Sequence, residues 1–119
     1  MADKSFWESF WELCRVEGVQ AAIDMLQHSQ IDINKVNGSG RSALTAAVWV
    51  GSHEGLAALL AQDQLLATTI NHRNSDGLSP IINALRWNQV ECFHLLLTDP
   101  KVDLDTRDNH QRTPQEVRG

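Results

Sequence analysis

Residues 37–60, NGSGRSALTAAVWVGSHEGLAALL, return downstream as residues 74–97, NSDGLSPIINALRWNQVECFHLLL. In register, Asn37 meets Asn74, Gly40 meets Gly77, Ser42 meets Ser79, Leu44 meets Ile81, Ala47 meets Ala84, Glu54 meets Glu91, and Leu59-Leu60 meets Leu96-Leu97. A third, shorter copy opens at Asp108 as DNHQRTPQEV. The offsets are 74 − 37 = 37 and 108 − 74 = 34 residues. A period of roughly 20 to 50 residues points to stacked supersecondary units rather than one ordinary globular core, because no single copy can bury its own apolar face.

Each copy carries the same start signal. Ser42, Ser79 and Thr113 stand where a helix begins and predict N-caps, a hydroxyl there accepting from an unpaired first-turn N–H. Pro80 and Pro114 follow directly, at the position where a missing N–H does no harm. Ahead of each cap, Asn37 to Gly40 and its later counterparts predict a projecting turn, with glycine allowing positive φ.

These residues resemble the ankyrin repeat, whose unit opens D-x-x-G-x-T-P-L-H-x-A and closes on a Leu-Leu helix and a turn. The likeness is strongest over residues 31–114 and traceable from Ser5. In place of Thr-Pro the chain has Ser42-Ala43, Ser79-Pro80 and Thr113-Pro114, and in place of the His it has Thr45, Ile82 and Glu116. The inter-helix Gly is kept as Gly51 and replaced by Asn88. The resemblance implies an all-α solenoid of stacked helix-turn-helix units with projecting β-turn loops. Its single domain would divide into a divergent capping repeat at 5–36, full repeats at 37–73 and 74–107, and a truncated repeat at 108–119.

The first unit lacks the Gly-x-Thr-Pro opening, as a terminal repeat facing water on one side is free to do. After a frayed start at 1–4, residues 5–15 read as a helix capped by Ser5, with Glu8 three residues on. Its apolar stripe is Phe6, Phe10, Leu13 and Cys14, widened by Trp11, with Trp7 one turn before. Gly18 breaks it, and a second helix over 19–26 turns Val19, Ala22, Ile23 and Leu26 to one face. Residues 28–36 form an extended link containing Asp32-Ile33-Asn34, where the family keeps Asp-Val-Asn. That asparagine is hydroxylated in some members, with a Leu eight residues earlier as Leu26 is here; purely structural use of Asn34 is the other reading.

The scaffold core is expected from Leu44, Ala47, Leu56, Leu59 and Leu60, and from Ile81, Ala84, Phe93, Leu96 and Leu97. In the longer linker at 61–73, Leu65, Leu66 and Ile70 either extend the helix or pack beneath the turn. The third copy supplies only Val117 as an apolar contact, which implies a chain continuing into a longer protein or an end covered by a partner or a second copy.

Little in the chain supports chemistry. GSGRSA at 38–43 imitates a dinucleotide-binding turn, but the turn recurs without its glycines and no β-α-β order follows. Histidines stand at 28, 53, 72, 94 and 110; His94 and Cys92, two apart on a helix, point about 200° from each other, so no zinc site is expected. No Gly-x-Ser-x-Gly elbow is present, and an enzyme would need a site built from linkers. No cofactor or metal is expected. A net charge of −5 argues against nucleic acid, whose phosphates need a concentrated basic face. No apolar run approaches the roughly 18 residues of a membrane span. Cys14 and Cys92 make no disulfide framework and fall where the repeat wants a small buried residue, which predicts reduced thiols in a cytoplasmic or nuclear monomer.

The family's variable positions, at the ends of the first helices and the tips of the turns, line a concave partner-binding face. Here they are Trp49 and Val50, then Arg86 and Trp87, with Ser39, Arg41, Asp76, Leu78, His110 and Arg112 on the turns. Trp beside Arg is the composition of an interface hot spot. The competing reading packs one or both rings against the adjacent repeat. The expected function is therefore a non-catalytic module binding a segment of another protein, with an acidic or phosphorylated ligand favoured by the arginines. Intramolecular docking onto the rest of a longer protein is the alternative.

Overall fold

The computed structural model describes residues 2–36, 38, 41–74, 77–107 and 111–113, with side chains from residue 6 onward. Among them are seven helices and no strand: α1 (Ala2–Glu17), α2 (Val19–Gln27), α3 (Ala43–Val50), α4 (His53–Leu60), α5 (Ala67–Ile70), α6 (Pro80–Arg86) and α7 (Val90–Thr98). The pairs α1/α2, α3/α4 and α6/α7 pack internally, and the stack grows by α2 on α4 on α7 along the outer row and α3 on α6 along the inner row. The result is 39 Å long and 23 Å thick.

The all-α expectation holds, and the core is the one the repeat spacing marks. Leu44, Ala47, Leu56, Leu59, Ile81, Ala84, Phe93 and Leu96 are buried, while Leu60 and Leu97 pack against them half-buried. Phe10, Cys14, Ala22 and Leu26 bring the first pair into the same core. The start of α1 differs from expectation. Residues 2–4 contain no Gly or Pro, the helix begins at Ala2, and Ser5 lies inside it rather than capping it.

Helix ends follow backbone chemistry. Gly18 and Gly51 take φ of 87° and 75°, the left-handed region in which a side chain is disfavoured. Asn88 takes the place of the inter-helix glycine in the next copy and still adopts φ 56°, as asparagine tolerates. Gly77 (φ 77°) closes the second projecting turn, and Gln111 (φ 62°) holds the same conformation where the repeat motif has glycine. The turn at 37–40 lies largely outside the described residues. Ser42 caps α3, accepting from the Thr45 N–H at 3.4 Å. Ser79 does not cap α6: Pro80 presets the first turn, and the buried hydroxyl makes no hydrogen bond.

The long linker does not extend α4, which ends at Leu60. Ala67–Ile70 form a separate short helix, α5; Leu65 ahead of it and Ile70 at its end are buried, and Leu66 remains exposed. Two asparagines then tie successive loops together. The Asn34 amide donates to the Gln64 carbonyl at 2.8 Å and accepts from the Leu66 N–H at 2.9 Å and the Thr69 hydroxyl at 2.7 Å. Asn71, 71 − 34 = 37 residues on, donates to the Lys101 carbonyl at 2.8 Å and accepts from the Asp103 N–H at 2.7 Å. The structure thus gives Asn34 a full structural role.

Candidate functional site

α3 and α6 end side by side, and each ends on large side chains. Trp49, in the last turn of α3, meets Trp87, which follows α6, edge to face: the ring centroids lie 5.0 Å apart at 82°. This is the arrangement favoured by positive ring edge against negative ring face. The two rings differ in burial. Trp87 is partly buried against the core, whereas Trp49 stays 59% exposed.

Arg41, just ahead of the Ser42 cap, places its guanidinium 5.9 Å from the centre of the Trp49 ring, within cation–π reach. Val50 and Arg86 are exposed beside the two rings. Helix α3 contains no charged residue and α6 contains only Arg86, so neither inner helix carries a carboxylate. The acidic residues of the described helices belong to the others: Asp3, Glu8, Glu12 and Glu17 to α1, Asp24 to α2, Glu54 to α4 and Glu91 to α7.

Two grooves adjoin these helices. One of about 350 Å³ opens between α1 and α3 and is lined by Trp7, Asp32, Lys35, Arg41, Ser42, Ala43 and Ala46. The other, about 520 Å³, lies on the outer row among Val19, His53, Ala57, Glu91, His94, Leu95 and Thr98. Neither holds an arrangement suited to covalent chemistry. The two thiols are buried and free; burial raises the Cys14 pKa against the lowering effect of a Ser52 hydrogen bond. Burial, helped by Glu91 and Glu54, pushes the Cys92 thiol up to about 11. A thiol held protonated is a poor nucleophile and a poor metal ligand.

Three copies of the ankyrin-repeat family model match the chain over residues 13–108. The chain belongs to the ankyrin-repeat family. Comparison with curated proteins finds no match. Ankyrin repeats are generally protein–protein interaction modules and typically non-catalytic. Among the described residues no helix is long and apolar enough to cross a membrane.

The ankyrin stack therefore brings together three of the ten residues selected from the sequence, Arg41, Trp49 and Trp87, with Val50 and Arg86 flanking them. Arg112 is exposed on the last turn. Ser39, Asp76 and His110 lie outside the described residues. Leu78 is a correction: it is 5% exposed, because the second turn folds its leucine down into the core and cannot present it to a partner. Its backbone N–H is held by the Asn74 side chain at 3.1 Å and its carbonyl accepts from the Asn74 N–H at 2.9 Å. The sequence reading overlooked Trp7, Ala43 and Ala46 as surface. The available signal was the spacing of Ala43, Ala46 and Val50 at i, i+3 and i+7, a continuous stripe on one helical face.

Proposed function

We propose that this ankyrin stack binds a segment of another protein on the face of its inner helices, with Trp49, Trp87, Arg41 and Arg86 as the anchoring side chains. The observation that carries the reading is the Trp49–Trp87 pair: a ring 59% exposed, 5.0 Å from a neighbour that is itself packed, half-buried, against the core. A pre-positioned aromatic loses little conformational freedom on binding, which is what makes Trp an effective anchor. Val50 stands exposed next to Trp49, and Ser39, Asp76, His110 and Arg112 are proposed as further contacts from their places in the repeat.

The test is affinity capture from a cell extract with the wild-type chain and with the Trp49→Ala, Arg86→Ala, Trp87→Ala variant, after circular dichroism shows equal helicity. Hot-spot truncations cost about 2 kcal/mol or more each, so partners of this face should be lost from the variant. Retention of every partner would move the site to another surface.

A further inference from the structure

Charge is divided between the two rows of helices. α2, α4 and α7 of the outer row carry Asp24, Glu54 and Glu91 and no lysine or arginine, whereas α3 and α6 of the inner row carry Arg86 and no carboxylate. The groove of about 520 Å³ on the outer row crosses all three of its helices. Half-buried Val19 of α2, Ala57 of α4 and Leu95 of α7 form its apolar floor, and exposed His53, Glu91 and His94 stand at its rim. The hollow has a cause in the repeat. Ala57 of the middle helix holds the position that His94 holds in α7 (57 + 37 = 94), so a methyl group stands where the next copy has an imidazole.

Of the residues lining this groove, Glu91 alone carries a fixed charge. It is exposed and makes no hydrogen bond or ion pair among the described residues. Cations in the adjoining segments have carboxylates of their own: Arg15 pairs with Glu12 on α1, and Lys101 beyond α7 stands in sequence among Asp99, Asp103 and Asp105. Lys4 precedes Glu17 by 17 − 4 = 13 residues, about 20 Å along α1, and so lies at the far end of that helix from Val19. A carboxylate in the first turn favours its own helix, which accounts for Glu54 and Glu91 as scaffold. Helix-end electrostatics do not account for three neighbouring helices without a single lysine or arginine.

We infer that the outer groove is a second docking surface, and that its occupant is a basic segment of another protein. An apolar side chain of that segment sits over Val19, Ala57 and Leu95, and an adjacent lysine or arginine reaches Glu91. Charge complementarity chooses this occupant: the outer row attracts a cationic segment and repels an acidic one, and a second copy of this chain, at −5, is repelled as well. Because the groove lies on the outer row, a segment bound there leaves Trp49 and Trp87 of the inner face open to a different partner.

The experiment uses the full 119-residue chain. A phage library of short random peptides is depleted on the Ala57→Leu, Glu91→Lys variant, which fills the floor and reverses the rim. It is then selected on the wild type at about pH 8, where imidazole is ordinarily neutral. Depletion removes peptides that bind elsewhere, the tryptophan face included. The survivors, synthesised with a fluorescent label, are read by anisotropy. They should pair an apolar residue with Lys or Arg, weaken about tenfold on Glu91→Lys alone, weaken as salt is raised, and bind Trp49→Ala as well as the wild type. An empty selection, survivors without Lys or Arg, or affinity retained on Glu91→Lys overturns the inference. Survivors that weaken on Trp49→Ala belong to the inner face and overturn it too, while supporting the reading of that face. Should the double variant lose helicity, Glu91→Lys alone serves for depletion, since it changes an exposed side chain with no hydrogen bond to lose.

Discussion

α4 and α7 hold the same place in successive copies, yet the equivalent buried position is Gly55 in one and Cys92 in the other (55 + 37 = 92). A Cβ added at Gly55 would lie 2.7 Å from Cζ3 of Trp11 and 2.9 Å from the Ser52 hydroxyl, closer than atoms can pack. The indole of α1 thus claims the volume that a side chain would fill. At Cys92 the side chain is accommodated and almost wholly buried. A second contrast runs along the inner row. α3 is capped by Ser42 and has Ala46, whereas the equivalent residues of α6, Ser79 and Asn83, leave a buried hydroxyl and a buried amide nitrogen without partners. Copies of one repeat are therefore alike in backbone and unlike in what their neighbours demand of them.

The largest effect should come from pH. The Cys92 thiol titrates near 11 in the fold against 9.0 when exposed, so the unfolded chain ionises first. Stability from this group is complete below pH 9 and falls as pH rises toward about 11, by up to roughly 2–3 kcal/mol. Urea midpoints over that range, compared with those of Cys92→Ala, measure it; equal slopes for the two chains would refute it. Importing the cysteine into the earlier copy, Gly55→Cys, should cost about 1–3 kcal/mol by overpacking against Trp11. Adding Trp11→Leu should return part of that loss, and simple additivity of the two changes would show that the ring is not the obstacle. The smallest change runs the other way. Asn83→Leu, which replaces the unpartnered amide with an apolar group, should raise the urea midpoint by about 1 kcal/mol in stability.

The fold was legible because its signals are local and repeated. Serine or threonine before an apolar run, and glycine or asparagine after it, report backbone chemistry that acts within one turn of helix. The site was legible only in part. The sequence places Trp49 in register with Arg86 and Val50 with Trp87, but which ring is held in the core and which is exposed depends on the crossing of α3 and α6. Leu78 misled because its place in the turn marks it as a tip residue, whereas its side chain is apolar and the fold buries it. Of the α1–α3 groove, only the Ala43, Ala46 and Val50 stripe is written in the sequence; its opposite wall comes from α1 settling against α2 and α4.

The loop clamps of Asn34 and Asn71 bear on how such an array can change over time. At the far end of each clamp the partners are main-chain atoms, the carbonyls of Gln64 and Lys101 and the N–H groups of Leu66 and Asp103, with Thr69 the one side chain involved. Every residue supplies a carbonyl and every residue but proline an N–H, so the receiving loop can drift in sequence, short of proline at 66 or 103, while its spacing to the donor stays fixed. Each copy thereby needs one asparagine to position the next, and mutation can explore the remaining loop positions with little risk to the register of the stack.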